Sequence, residues 1–299
     1  MTLLARETTQ GKGGWPHMGI IALGRRLVGS REIAIRRLWE FLTIPVAISF
    51  ILQSRRMHSD YGMTWIKKMR LGLRMFVNTV RVESGSSFRG HLVMALKLLE
   101  TTPDVRGIVI ECGTWKGASA ANLSLVCKLV GRQLKIFDSF QGLPAPLQGW
   151  YSGSLDEVKE NIRRYGALEC CEFVPGWFEE TLPRLDEPVL LAWLDVDLHA
   201  SLETCVRYIW PKLVDEGYMF TDECWKMNYV SLFWSEKWWR KNFDRNPPGL
   251  IGAGTGLGLG NFYVGPKTEY DDHPLQHPGT CGYTRKSFNG GWEYYPDEK

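Results

Sequence analysis

Residues 107–138, GIVIECGTWKGASAANLSLVCKLVGRQLKIFD, contain the alternation that decides the fold. A β-rich apolar run over 107–113 ends in a glycine, and a second apolar run over 134–138 ends in Asp138. The segment between them, 117–131, has the composition of a helix bounded by glycines. Strand, helix and strand in this order predict a right-handed βαβ unit with parallel strands.

The same alternation continues on both sides of this unit. Helices are predicted upstream at 65–81 and 91–99 and downstream at 155–165, 202–213 and 230–243. Further strands are predicted at 171–176, 189–195, 217–223, 249–254 and 259–265. The pattern predicts an α/β, Rossmann-like fold in which helices cover both faces of a mostly parallel, seven-stranded sheet. The glycine-dense stretch 252–260 lacks the GK[ST] ending of a phosphate loop, so we interpret it as a hairpin and connection.

Acidic residues stand where the predicted strands end. They are Glu111, Asp138, Asp195, Asp222 and Glu223. Parallel strands end at the same edge of a sheet, which is where such sheets bind ligands. We expect the last three carboxylates to converge within a few ångströms, and like charges this close repel one another. Bound ligands or a cation would balance them; the alternative is that they are solvated caps of the following helices.

The chain has 299 residues and a formal net charge of only +3, which does not call for a nucleic-acid partner. Residues 1–76 nevertheless carry 13 Lys and Arg against four Asp and Glu. An apolar run at 41–52 lies between arginine pairs, contains a proline, and is shorter than the roughly 20 residues of a spanning helix. It fits a buried or partner-packed helix, an interfacial helix on anionic lipid, or a dimerisation arm. We therefore divide the chain into a basic, partly disordered or helical extension (1–56) and an α/β domain with an N-terminal helical cap (57–299).

The first apolar stretch, 18–23, is short and has no cleavage site after it, so no secretory signal is evident. Seven cysteines, an odd number without CxxC spacing, indicate reduced thiols rather than disulfides or a zinc site. These features predict a cytoplasmic protein, with contact at the inner membrane face through the basic segment as an extension of that prediction.

The glycine turn in Glu111-Cys-Gly113-Thr-Trp-Lys-Gly117 lets a ligand approach the backbone closely, and Asp138 follows the next strand. A carboxylate at that position can accept both hydroxyls of a ribose. Together these features look like the S-adenosylmethionine (SAM) site of class I methyltransferases. The strings IECGTWKGAS, IFDSFQGLP, VPGWFEETLP, LDVDLHASLE and GYMFTDE, with YGMT upstream, keep the order seen in the macrocin O-methyltransferase family, which this chain resembles over about residues 57–265.

The resemblance implies a SAM- and Mg²⁺-dependent enzyme that methylates a sugar hydroxyl. The residues implied for SAM are Glu111, Gly113, Gly117, Ser119, Asp138, Phe140, Gly176 and Trp177. Those implied for the metal are Asp195, Asp222 and Glu223. Asp195, Asp197 and His199 are the catalytic candidates, with Asp197 as ligand or base. His199 stands where the family usually has Tyr, so it is either a second base or a packing replacement.

The acceptor is left open by the sequence. A glycoside or polyol is the leading interpretation, a catechol or other phenol is the second, and a non-catalytic SAM-binding or membrane-associated assembly protein is the third. Tryptophans 225, 234, 238 and 239 form either core packing or a wall of the acceptor site, with Trp234 and Trp238 on one helix face. We also expect a homo-oligomer.

Overall fold

The computed structural model describes residues 57–145, 147–224, 227–253 and 281–286, together with Leu38. The predicted extension at 1–56, apart from Leu38, and the predicted strand at 259–265 lie outside these residues, as does most of the predicted hairpin at 252–260. No helix among the described residues is long and apolar enough to cross a membrane.

The described chain alternates helices and strands as the sequence predicts. The helices are α1 (Trp65–Arg81), α2 (Phe88–Glu100), α3 (Ala118–Val130), α4 (Leu155–Tyr165), α5 (Phe178–Thr181), α6 (His199–Ile209), α7 (Met227–Val230) and α8 (Glu236–Phe243). The strands are β1 (Ile108–Cys112), β2 (Leu134–Asp138), β3 (Cys171–Pro175), β4 (Val189–Leu194), β5 (Leu213–Thr221), β6 (Ile251–Ala253) and β7 (Cys281–Arg285).

One sheet of seven strands has the order β3-β2-β1-β4-β5-β7-β6. Strands β1 to β5 pair in parallel, and β7 is antiparallel to both of its neighbours, β5 and β6. The predicted mostly parallel, seven-stranded α/β fold is therefore confirmed. The chain leaves β1 toward β2 on one side and returns to β4 on the other, which creates a switch point between β1 and β4.

Helices cover both faces of the sheet because buried strand residues alternate between two cores. On β4, Leu191 and Trp193 belong to the core formed with α1 to α4, whereas Ala192 and Leu194 belong to the core formed with α6 to α8. Side chains of a strand point to opposite faces in turn, so a strand buried on both faces is apolar throughout. This accounts for the unbroken apolar run of β4.

Several predicted boundaries differ from the structure. The predicted helix 202–213 is α6 followed by a 3₁₀ turn at Trp210–Lys212, and β5 begins at Leu213 rather than 217. The predicted helix 230–243 is interrupted, because Ser235 adopts an extended backbone and caps α8 by accepting the Trp238 N–H. The prediction that Trp234 and Trp238 share one continuous helix face was therefore wrong.

Candidate functional site

A cavity of about 370 Å³ opens at the carboxyl ends of β1 to β5, a size typical of small-molecule sites. Most of the predicted site residues line it. These are Gly113, Ser119, Asp138, Gly176, Trp177, Asp195, Asp197, Asp222 and Glu223. The other predicted residues, Glu111, Gly117, Phe140 and His199, do not appear among its lining residues.

The turn after β1 needs glycine at position 113. Gly113 has φ +82°, and a Cβ atom there would lie 2.1 Å from the carbonyl oxygen of Asp195. The Gly113 N–H donates to the Phe137 carbonyl, and the Asp195 N–H donates to the Cys112 carbonyl. The absence of a side chain thus lets the ends of β1 and β4 approach each other at the switch point, directly beside the cavity.

Asp138, at the end of β2, organises the loops on either side of it. Its Oδ2 accepts the Thr114 N–H at 2.7 Å, and its Oδ1 accepts the Phe140 N–H at 2.7 Å. Burial raises the pKa of the Asp138 carboxyl, and backbone N–H groups of Thr114, Phe140 and Trp115 oppose that rise. Each carboxylate oxygen has a second lone pair. The side chain therefore supports the loop after β1 and still has capacity to accept a ligand hydroxyl.

Glu111 lies beneath the cavity rather than in its wall. The residue is fully buried, and its Oε1 accepts a hydrogen bond from the hydroxyl of Ser119, which does line the cavity. Burial raises the pKa of Glu111 to about 8, with a smaller contribution from the charge of Asp138, while the hydroxyls of Ser119 and Thr114 act in the opposite direction. Glu111 is therefore a buried acid that binds a proton near neutral pH and positions Ser119.

The acids after β4 and β5 face the same cavity. Burial raises the pKa of the Asp195 carboxyl well above its usual value, and the negative charges of Asp222, Asp197 and Glu223 raise it further. Among the described residues, however, no three His, Cys, Asp or Glu side chains lie close enough together to hold a metal ion. The described residues therefore do not form the predicted ligand set, although Asp222, Asp197 and Glu223 lie close enough to Asp195 for their charges to raise its pKa.

Left-handed backbone conformations concentrate around this cavity. Trp115, Tyr151, Asp197 and Glu223 all line it, and their φ angles are +45°, +53°, +57° and +56°. Such conformations cost about 1–3 kcal/mol each for residues with a side chain and persist only where surrounding structure enforces them. The loops at this edge of the sheet are therefore held in strained shapes, which is characteristic of ligand-binding edges.

The predicted residues outside the cavity wall have other surroundings. Gly117 has φ +84° as the N-cap of α3, and a Cβ atom there would approach Val158 Cγ1 on α4 to 3.0 Å. The Phe140 ring lies 6.4 Å from that of Phe173, on the core side. His199 is the exposed first residue of α6. Gly117 thus lies at the start of α3, Phe140 packs toward the core and His199 faces solvent, all outside the cavity wall, and their roles in SAM binding and proton transfer stay predictions.

The described tryptophans after β5 favour core packing over an acceptor wall. Trp239 is fully buried, its ring is 4.7 Å from that of Trp210, and its Nε1 donates to the Leu232 carbonyl. Trp234 and Trp238 pack against the same core. Trp225 lies outside the described residues.

Other cavity residues were not predicted from the sequence. They include the loop 83–86 before α2, Trp115, and the loop after β2 that contributes Gly142, Leu143, Pro144 and Tyr151. The Ser-Gly-Ser-Ser run at 84–87 ends in the N-cap of α2, so its pattern marks a turn that leads into a helix, but it does not indicate contact with the cavity. Trp115 and Tyr151 are 36 positions apart in the chain, and only the folded structure brings their rings within 5.2 Å.

The chain is similar to known proteins in both sequence and structure. A family model described as Macrocin-O-methyltransferase matches residues 91–244. Demethyldecarbamoylnovobiocin O-methyltransferase from Streptomyces niveus is 29% identical over 162 residues, covering 44% of this chain and 62% of that protein. The 8-demethyl-8-(2,3-dimethoxy-alpha-L-rhamnosyl)-tetracenomycin-C 4'-O-methyltransferase from Streptomyces olivaceus is 30% identical over 162 residues, with the same 44% and 62% coverage. The chain thus spans less than two thirds of the length of either relative. Among solved structures, the calicheamicin methyltransferase CalS11 matches with a TM-score of 0.49 and 17% identity, over 93% of this chain and 99% of that one.

Proposed function

The chain belongs to the macrocin O-methyltransferase family, and on that premise we propose that it is a SAM-dependent O-methyltransferase acting on a hydroxyl of a glycosyl group in a natural product or glycan. The observation that supports the proposal is that one cavity at the carboxyl edge of β1 to β5 is lined by the glycine turn, by Asp138 and by the acids that follow β4 and β5. One relative is named for O-methylation of a rhamnosyl-bearing tetracenomycin, and the other for O-methylation of demethyldecarbamoylnovobiocin.

The β1–β3 side of the cavity suits SAM. Asp138 has lone pairs for the ribose hydroxyls, and Gly113 leaves the backbone accessible beside it. Gly176 and Trp177, at the end of β3, line the cavity next to Asp138 and would contact the adenine. The sulfonium would then lie toward β4, where the acids begin.

The acids of the β4–β5 side suit the proton transfer that methylation requires. The methyl group leaves the sulfonium sulfur as its C–S bond breaks, a new C–O bond forms to the acceptor oxygen, and the hydroxyl proton goes to a base. Asp195 and Asp197 line the cavity and are carboxylates, so either can take that proton. The raised pKa of Asp195 makes it a better proton acceptor once ionised.

We propose Mg²⁺ as the second cofactor because of the chemical nature of the side-chain oxygens that follow β4 and β5. Asp195, Asp222 and Glu223 offer only carboxylate oxygens, which Mg²⁺ prefers, and their mutual repulsion is what a divalent cation would relieve. Bound there, the ion would acidify an acceptor hydroxyl. Because these acids are not gathered as a ligand set among the described residues, binding would have to draw them together.

Metal removal tests this part of the proposal. We expect EDTA to abolish methyl transfer from SAM to a glycoside acceptor and added Mg²⁺ to restore it. Full activity in EDTA would reject the metal and leave a general-base mechanism with Asp195 or Asp197. A panel that includes catechols alongside glycosides would identify the acceptor class, and SAM binding without turnover on any acceptor would favour a non-catalytic role.

A single substitution separates metal binding from SAM binding. We expect Asp222→Asn to lose most methyl transfer while the affinity for S-adenosylhomocysteine persists, because Asp222 lies on the β5 side of the cavity. Asp215→Asn is the matched control, since Asp215 is an exposed acid on the same strand. Equal activity of the two variants would remove Asp222 from the site.

A further inference from the structure

A chain of four polar side chains runs from the cavity into the helices behind it. Ser86 lines the cavity, and its Oγ is 2.9 Å from Nε2 of His91. Nδ1 of His91 is 2.9 Å from Nδ2 of Asn122, and Oδ1 of Asn122 is 2.8 Å from Nδ2 of Asn78. All four residues are buried, with His91 and Asn122 fully so. Polar groups this deep are retained only when their hydrogen bonds are satisfied.

The orientation of both asparagines is fixed by backbone carbonyls, which can only accept. Nδ2 of Asn78 donates to the Tyr165 carbonyl at 3.0 Å and to Oδ1 of Asn122. Nδ2 of Asn122 donates to the Met75 carbonyl at 3.3 Å. Rotating either amide by half a turn would set oxygen against oxygen at these carbonyls. The second N–H of Asn122 must therefore point at His91.

This arrangement selects one tautomer of His91. Nδ1 faces a donor and must accept, so the ring proton of neutral histidine lies on Nε2. Burial lowers the pKa of His91 to about 3, which keeps the ring neutral. The Nε2–H group then donates to Oγ of Ser86. The Ser86 hydroxyl accepts this hydrogen bond and cannot donate to Nε2, because that nitrogen is already protonated. The hydroxyl hydrogen of Ser86 must therefore point away from His91.

We propose that the Ser86 hydroxyl is a fixed donor to the carboxylate of the methionine portion of SAM, and that His91 is the positioning residue that fixes it. The inference rests on the proposed function. Asp138, Gly176 and Trp177 are assigned to the ribose and adenine on the β2–β3 side. Ser86 belongs to the other end of the cavity, since the helix it leads into, α2, packs at Gly90 against Cys281 of β7, the strand beside β5. A ligand carboxylate that binds near the acids of β4 and β5 needs a hydrogen-bond donor whose orientation is fixed.

Two ligands that differ only at this end test the subsite. S-adenosylhomocysteine carries the amino-acid portion, whereas 5′-methylthioadenosine keeps adenine, ribose and sulfur without it. By calorimetry, we expect Ser86→Ala to weaken S-adenosylhomocysteine binding about tenfold, the effect of losing one charge-assisted hydrogen bond. Binding of 5′-methylthioadenosine should change less than about twofold, and Ser86→Thr, which keeps the hydroxyl, should bind both ligands like the wild type.

A second measurement tests the positioning role of His91 directly. In ¹⁵N NMR spectra, we expect the signals of His91 to show a protonated Nε2 and an unprotonated Nδ1. His91→Phe keeps a ring of similar size, and we expect it to weaken S-adenosylhomocysteine binding but not 5′-methylthioadenosine binding. Proton placement on Nδ1, or an equal effect of Ser86→Ala on both ligands, would overturn the subsite alone. Wild-type protein that binds neither ligand would overturn the proposed function and the subsite together.

Discussion

The buried carboxyl of Glu111 makes the free energy of unfolding depend on pH, and the direction of that dependence follows from its pKa. Its pKa rises from 4.5 to about 8 on folding, mainly through burial. Between those values the folded state holds a proton that the unfolded state has released, so the free energy of unfolding falls as pH rises. The stabilisation is complete below pH 4.5 and is lost as pH rises through about 8. The slope contributed by one such group is at most about 1.4 kcal/mol per pH unit.

We expect Glu111→Gln to remove this contribution, because an amide does not titrate and retains an oxygen for Ser119. Urea unfolding at several pH values between 4.5 and about 8 would measure it. The variant should gain stability relative to the wild type toward the upper end of the range. Parallel pH profiles for the two proteins would show that Glu111 is ionised throughout.

Asp138→Ala should affect both binding and folding. We expect the affinity for S-adenosylhomocysteine to fall about tenfold or more, because hydrogen bonds to a charged group are worth about 1.5–3 kcal/mol each. Stability should also fall, since the N–H groups of Thr114 and Phe140 lose their acceptor. Calorimetry and urea unfolding would measure the two effects. An unchanged dissociation constant in a folded variant would remove Asp138 from the SAM site.

At the scale of secondary-structure elements, the close approach of β1 and β4 requires a residue without a side chain at position 113. We expect Gly113→Ala to cost more than about 3 kcal/mol, because left-handed strain adds to a collision with the Asp195 backbone. Gly131, the C-cap of α3, has φ +67° with nothing within 4 Å of a Cβ atom. Gly131→Ala should therefore cost only about 1–2 kcal/mol. If denaturant unfolding showed the same loss of unfolding free energy for both variants, the close approach of β1 to β4 would not be the reason that Gly113 is required.

How much of the fold the sequence could predict differs between elements. β1, β2 and β4 were predicted closely, since strands buried on both faces are apolar at nearly every position, and the edge strand β3 was predicted although its residues are only half-buried. β5 was predicted to start at 217 because its first residues, Leu213–Glu216, include two exposed acids. β7, Cys-Gly-Tyr-Thr-Arg at 281–285, was missed, because an antiparallel strand of mixed polarity near the sheet edge has no comparable signal.

The candidate site was predictable where residues follow strands. Asp138, Asp195, Asp222 and Glu223 were found because strand ends share one edge of a parallel sheet. His199 was placed among them because it is close to Asp195 in sequence, but the chain turns into α6 and leaves it exposed. The loop 83–86 comes to the cavity through the packing of α2, and nothing in its local pattern specifies that contact.

At the scale of the whole molecule, we expect the basic extension and the cavity to function independently of each other. Within the described part of the chain, the residues that line the cavity fall between Glu83 and Glu223. We expect deletion of residues 1–50 to leave the affinity for S-adenosylhomocysteine unchanged while reducing sedimentation with phosphatidylglycerol vesicles, since 1–50 carries seven basic against three acidic residues. Light scattering of the two proteins would show whether the extension also holds an oligomer together. A folded deletion variant that no longer binds S-adenosylhomocysteine would assign the extension to the active site.

The position of β7 between β5 and β6 sets an order for completing the sheet. β6 precedes β7 in the chain, yet β6 reaches the sheet only through its ladder with β7. Among the described strands β6 pairs with β7 alone, so β6 cannot join the sheet before β7 has been synthesised, and β5 presents unpaired N–H and C=O groups until residues 281–285 arrive. An open strand edge is a template for pairing with other chains. Self-association of nascent or shortened chains is thus a hazard built into this topology, and chains that stop before residue 281 are the ones most exposed to it.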